Sequence, residues 1–384
     1  MEKLVYLDNA ATTRISQKAI DAVMPFLTEN YGNPSSLYSL GQKSKVALEN
    51  ARKTVAGVLS SRPDEIYFTG SGTESINWAI KSAVKLKKDI GKHIISSKIE
   101  HPAVKNTLKY LGDNGYDITY LENDSVGQIS LDELRSSIRS DTVLISIMMA
   151  NNEIGTILPT AEISRIAREA GVLFHTDAVQ AVAHIPTDVN ELGVDLLSFS
   201  GHKLGAVKGV GALFIKKGLK LEPLIHGGGQ ERGKRSGTEN IFGIVTLAAA
   251  LEEAMSHMPL TGVTKLRDRL IEGVLKIPRS HLTGDPVNRL PGIASFAFEG
   301  IEGESLLLLL NQHGICASSG SACSSDSLDP SHVLLALGLS HERAHGSLRL
   351  SLSVDNTDED VDLVLEKLPS VVEKLRMMSP LWKG

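Results

Sequence analysis

From about residue 65 to about residue 215 the sequence alternates short apolar runs with helical stretches, and this alternation limits the fold more than any other feature. Strand-length runs fall at 66–68, 93–97, 117–121, 143–148, 172–175, 196–199 and 212–215, and helical patterns such as 160–170 lie between most of them. Parallel strands need crossover connections, so the pattern predicts an α/β domain on a mostly parallel, seven-stranded sheet. Ligands of such sheets sit outside the carboxyl ends of the strands. Glu100 and His101, Asn151 and Asn152, Asp177, and the run Ser200, Gly201, His202, Lys203 each follow an apolar run, so they are expected to converge there.

After Gly237 the pattern changes. A long helical stretch from 241 to about 277 leaves the sheet region, and beyond it 293–298 and 348–352 read as strands and 305–311 and 358–378 as helices. This is a second, smaller α+β domain. The expected division is 15–255 for the large domain, with 1–14 and 256–384 forming the small one. A length of 384 residues suits two domains, and a net charge of −5 gives no sign of a nucleic-acid surface. Two cysteines cannot make a disulfide framework, which points to a reducing compartment. The first residues carry too short an apolar stretch for a signal peptide, and the densest later run, 306–310, is far too short to span a bilayer. The expectation is a cytoplasmic protein without membrane or nucleic-acid partners.

Lys203 ends the segment Ser198-Phe199-Ser200-Gly201-His202-Lys203, and Asp177 ends Val172-Leu173-Phe174-His175-Thr176-Asp177. A strand-end Asp followed by a strand-end Ser-x-His-Lys is what a pyridoxal phosphate site requires. The lysine amine forms a Schiff base with the aldehyde, and the aspartate keeps the pyridine nitrogen protonated. The chain therefore reads as an enzyme acting on an amino acid, with the reaction still open.

Other candidates carry two readings each. Gly70-Ser71-Gly72-Thr73-Glu74-Ser75 opens a helix after a strand, which suits an anion, here the cofactor phosphate, or an ordinary capped helix start. His101 can stack on a pyridine ring and move protons, or be a solvated loop residue. Asn151, Asn152 and Gln180 can orient a ligand or simply favour a turn. Arg349, on an alternating strand, can bind a substrate carboxylate bidentately or form a surface salt bridge.

Two motifs are set aside. Gly228 to Lys234 has the spacing of a nucleotide-binding loop, but Arg235 stands where a hydroxyl is needed, Glu231 would repel phosphate, and no strand leads in. The following segment, Arg235 to Asn240, could instead reach a phosphate across a dimer interface. His341-Glu342-Arg343-Ala344-His345 matches the zinc-protease pattern, but an alternating strand follows at once and leaves its helix little room. Of the two cysteines, Cys316 has the surroundings of an inert core residue. Cys323, in Ser319-Gly320-Ser321-Ala322-Cys323-Ser324-Ser325-Asp326, has none of the apolar neighbours that bury a thiol and reads as an exposed nucleophile.

Taken in order, these residues resemble the cysteine desulfurases of the nitrogen-fixation and iron–sulfur-assembly type, a branch of the class V aminotransferases. The resemblance runs from Tyr6-Leu7-Asp8-Asn9-Ala10-Ala11-Thr12-Thr13 and Gly32-Asn33-Pro34-Ser35-Ser36 to Ser379-Pro380-Leu381-Trp382. It implies the large and small domains of fold-type I pyridoxal phosphate enzymes, working as a homodimer. Lys203 would hold the cofactor, Asp177 its ring nitrogen and Gln180 its ring oxygen, with His101 stacked on the ring. Gly72, Thr73, Ser200, Gly201 and His202 would hold the phosphate, with Thr238 from the other subunit. Asn152, placed against cofactor and substrate, and Arg349 would bind the substrate carboxylate. The implied reaction turns L-cysteine into L-alanine, with the sulfur taken up by Cys323 and passed to an acceptor such as an iron–sulfur scaffold. Cys323 would then also touch a nascent cluster. Tyr38 stands where members often carry His, and Ala206-Val207 stands where many carry Gly-Pro. Selenocysteine lysis and aminotransfer remain rival reactions on this scaffold, and a non-catalytic sulfur-relay protein is the rival of another class.

Overall fold

A computed structural model of the chain describes residues 4–320, 329–380 and 382. The strands are β1 (Val5–Tyr6), β2 (Ile66–Thr69), β3 (His93–Ser97), β4 (Asp117–Leu121), β5 (Thr142–Ser146), β6 (Leu173–Asp177), β7 (Leu196–Ser200), β8 (Gly211–Ile215), β9 (Ser280–Leu282), β10 (Ile293–Phe298), β11 (Ile315–Cys316) and β12 (Ser347–Ser351). Each expected strand of the large sheet is present to within two residues at either end. β6 runs on past its apolar residues because Asp177 still pairs with Ser198 of β7, which carries the acid into the ladder.

The central sheet has the order β2-β8-β7-β6-β5-β3-β4. β7, β6, β5, β3 and β4 pair in parallel. β8 runs antiparallel to both β2 and β7, because the link between β7 and β8 is too short for a crossover. Successive side chains leave a strand on opposite faces. Ile94, Leu144, Leu173, Leu196 and Leu213 accordingly join one core with Ile76, Ile80 and Leu108 from the Gly72–Leu86 and Pro102–Asp113 helices. Ile95, Ile145, Phe174, Leu197 and Phe214 join the other, with Leu48, Ile163 and Leu247 from helices on the opposite face. Asp177 shares its face with Leu173, the side on which the Gly72–Leu86 helix lies.

The remaining strands form two smaller sheets, β12-β10-β9 and β1-β11. Their apolar residues, with Val263, Leu270, Leu306, Leu310, Val361, Val364 and Leu368, make a separate core that also takes in Val5 and Leu7. The expected single helical stretch over 241–277 is two helices, Ile241–Ser256 and Thr261–Val274. The break contains Pro259, which has no N–H to continue a helical ladder. Among the described residues no single helix is long and apolar enough to cross a membrane.

Candidate active site

The carboxyl ends of β2, β6 and β7 meet at the start of the Gly72–Leu86 helix. Ser71 caps it by accepting from Glu74 N at 3.1 Å, which leaves the N–H groups of Gly72 and Thr73, at the positive end of the helix dipole, to an outside acceptor. A Cβ on Gly72 would lie 2.9 Å from Val179 Cγ2 and 3.2 Å from the Cβ of Ser200, so only glycine lets the helix start come this close to the strand ends. Gly201 is equally confined, with a Cβ there 2.8 Å from Val210 and 3.1 Å from Ala206. Arg235 holds the Glu74 carboxylate of its own chain at 2.8 Å.

Asp177 is buried and accepts from Val179 N at 2.9 Å. Burial pushes its carboxyl up to about 6, against the pull of that N–H and of the Lys203 ammonium. One layer below, His175 is fully buried between Ser146 Oγ (2.8 Å) and Ser198 Oγ (3.0 Å), and burial pushes its pKa down to about 3. It is a neutral rung that ties β5, β6 and β7 together beneath the site. Lys203 ends the short turn after β7 and donates from Nζ to the carbonyls of Ala10 and Ala11, both at 2.6 Å. Gln180 Nε2 reaches the same Ala10 carbonyl at 2.9 Å. A cavity of about 340 Å³ reaches Lys203 from the side of Asn9, Thr13 and Leu204, and Asp177, His101 and Arg349 do not line it.

His101 caps the Pro102–Asp113 helix, with Nδ1 accepting from Ala103 N at 3.0 Å. That bond assigns the proton of the neutral ring to Nε2. Burial, and then the positive charges of Lys203, His332 and His202, push its pKa down to about 4. His202 is lowered likewise to about 4, by burial, Lys203 and Lys208, and its ring and backbone bind Thr12 and Thr13. Glu100, next to His101, is fully buried; Ser97 Oγ and Met148 N donate to one oxygen, while Oε2 has no partner among the described residues. Burial pushes its carboxyl up to about 8, so it is largely protonated at neutral pH.

Arg349 is no surface residue. Its side chain is 3% exposed, with Nη2 on Asp8 Oδ1 at 2.9 Å and Nη1 on the Asn152 carbonyl at 2.9 Å. Asn152 therefore stands beside Arg349, in a segment that ties the large sheet to the smaller core. Asn151 takes the turn reading: it is buried and accepts from Glu153 N and Ile154 N. Glu153 is buried, bonded to Ser331 Oγ, and pushed up to about 7 by burial. The sequence reading gave no role to Asp8, Glu153 or His332, whose Nε2 lies 3.0 Å from the Glu100 carbonyl. Glu100 was marked by its place after a strand and directly before His101; the roles of Asp8, Glu153 and His332 depend on contacts far apart in the chain.

Some expected residues lie elsewhere. Thr238 is exposed and lines a surface pocket with Tyr31, Asn33 and Phe242, away from Lys203. Cys323 lies outside the described residues. Cys316 is half-buried on β11 with its thiol pKa raised, chiefly by burial. The segment with nucleotide-loop spacing is filled by protein instead: Glu231 is buried and holds Arg52 through two bonds of 2.7 and 2.8 Å. His341–His345 does form a helix, contrary to expectation, but only of one turn, and no cluster of three or more metal-ligating side chains occurs among the described residues.

Pyridoxal phosphate fits these residues. The glycine-lined helix start offers N–H donors to a phosphate, and the buried Asp177 carboxyl would return to its ionised form beside a protonated ring nitrogen. The aminotransferase class-V family model matches residues 5–364. The chain is 57% identical to a cysteine desulfurase IscS of Methanosarcina thermophila, covering 99% of this chain and 94% of that one. A solved NifS-like protein superposes with a TM-score of 0.92 at 40% identity, covering 97% of this chain and all of the other. A structure described as SspA in complex with cysteine superposes at 0.81 and 36% identity, over 90% and 98% of the two chains. The chain belongs to the class-V aminotransferase family, with its pyridoxal-phosphate-dependent α/β fold.

Proposed function

We propose that the protein is a cysteine desulfurase that turns L-cysteine into L-alanine and leaves the sulfur on Cys323 as a persulfide. Atoms balance: the sulfur passes from substrate to the Cys323 thiol, and its place on the substrate β-carbon is taken by hydrogen. The observation that carries the reading is that one N-terminal segment holds Lys203, through Ala10 and Ala11, and Arg349, through Asp8, with buried Asp177 near enough to feel the Lys203 charge, in a chain that also holds Cys323 among small polar residues.

When bound, pyridoxal phosphate supplies the electron sink that lets the substrate α-proton leave and weakens the C–S bond. Gly72, Thr73, Ser200, Gly201 and His202 would hold its phosphate. Asp177 would keep the ring nitrogen charged, and Gln180 would serve the ring oxygen. Lys203, released from its carbonyl partners, takes the α-proton at Nζ. Arg349 and Asn152 orient the substrate carboxylate. His101, with its proton on Nε2, would lie against the ring; burial and its positive neighbours hold its pKa down, and an arriving thiolate or phosphate would counter the second of these and raise it toward the range for moving the thiol proton.

The working unit is a homodimer in the cytoplasm. Tyr31 and Phe242 are exposed beside Thr238, and Leu37 and Tyr38 are exposed a few residues along the chain from Tyr31, which supports a second copy bringing that threonine to its neighbour's phosphate. The sulfur acceptor is a protein, such as an iron–sulfur scaffold. The test is Cys323→Ala with L-cysteine as substrate. Sulfide release should fall to background; undiminished release overturns the role of Cys323.

A further inference from the structure

Asp8 is the carboxylate partner of Arg349. Its Oδ1 accepts from Arg349 Nη2 at 2.9 Å, and its side chain keeps 21% of its exposure while that of Arg349 keeps 3%. The backbone around it is fixed. Ser351 N donates to the Leu7 carbonyl at 2.7 Å, Asn9 N to the Ser351 carbonyl at 3.2 Å, and Ala10 N to Ser351 Oγ at 2.9 Å. Ser351 lies two residues along β12 from Arg349, on the same face of the strand. The guanidinium is thus gripped on two sides, by Asp8 and by the Asn152 carbonyl. It has more N–H donors than those contacts use, and its Nε is buried without a partner among the described residues.

A carboxylate arriving at those donors becomes the second anion on one guanidinium. Asp8 then acts in two opposed ways. As an acceptor it fixes the plane of Arg349, and as a charge it repels the arriving carboxylate across a short, partly desolvated gap. We propose that Asp8 is a specificity-determining residue, holding Arg349 in place while setting how tightly the cleft binds a ligand carboxylate. The inference rests on Arg349 as the carboxylate-binding residue.

Two ligands that differ only at that group test it. The holoenzyme is titrated with L-alanine, which carries the carboxylate, and with L-alaninamide, which does not, following the cofactor absorbance. Asp8→Asn keeps an acceptor and removes the charge, so alanine should bind about fivefold tighter while alaninamide stays within about twofold. Asp8→Ala removes both and should lose part of that gain. If Asp8→Asn does not accumulate as folded protein, Asp8→Ser carries the same expectation. Equal shifts for both ligands, or no gain for alanine, overturn the inference. Arg349→Met separates the two readings: weakened alanine binding with no gain from Asp8→Asn overturns the role of Asp8 alone, and unchanged alanine binding removes Arg349 and Asp8 together.

Discussion

Lys203 and Arg349 are two cations that the same few residues of the N-terminal segment hold by different means. Lys203 donates to the backbone carbonyls of Ala10 and Ala11, while Arg349 is paired with the carboxylate of Asp8. Carbonyl dipoles stabilise an ammonium without committing a full counter-charge, so the amine can be surrendered to a covalent bond. A carboxylate keeps a guanidinium charged and aimed. The difference separates a group that must change its bonding in the reaction from one that must stay as it is.

Mutation should separate the two most sharply at the lysine. Lys203→Ala removes both the cofactor linkage and the proton carrier, and should lower turnover on the order of 10^4-fold with loss of the absorbance of lysine-bound cofactor. Retained absorbance with near-normal turnover would mean that the two cations are interchangeable supports. Arg349→Met should leave that absorbance in place and raise KM for L-cysteine roughly 30-fold or more, the expected loss from truncating one partner of a desolvated charge pair. A fall in kcat with unchanged KM would move Arg349 from binding to chemistry.

The smallest effect is on stability, and it probes the sheet half of the cleft. The Glu100 carboxyl is raised by burial to about 8. The fold favours its protonated form, so this contribution is fully present below about pH 4.5 and is lost as pH rises through about 8. Glu100→Gln should remove a loss on the order of a few kcal/mol between those limits, measured as a flatter pH dependence of urea unfolding. Glu153 and Asp177 shift in the same direction, so some slope should remain. An unchanged slope would show that Glu100 is ionised in the folded protein.

The same contrast explains what could be read from the sequence. Asp177, Ser200 and Lys203 were legible because each lies within a few residues of an apolar strand, and a parallel sheet brings strand ends together whatever the loops do. Arg349 was legible as a candidate, but its burial was not, because its partner Asp8 is 341 residues away in the chain. Glu153 and Ser331 are 178 residues apart, and no local pattern marks their bond. In the fold, the break between the Ile241–Ser256 and Thr261–Val274 helices was missed because apolar residues recur at helical spacing on both sides of Pro259. The short turn at His341–His345 was missed because the strand after it begins without a connecting loop.

The central claim is that sulfur from cysteine comes to rest on Cys323. The direct measurement treats the holoenzyme with one equivalent of L-cysteine, digests it without reductant and weighs the two cysteine peptides. The Cys323 peptide should gain the mass of one sulfur atom, with one L-alanine formed for each sulfur bound and the Cys316 peptide unchanged. Alanine formed with no sulfur on Cys323, or sulfur found on Cys316 instead, would contradict the account.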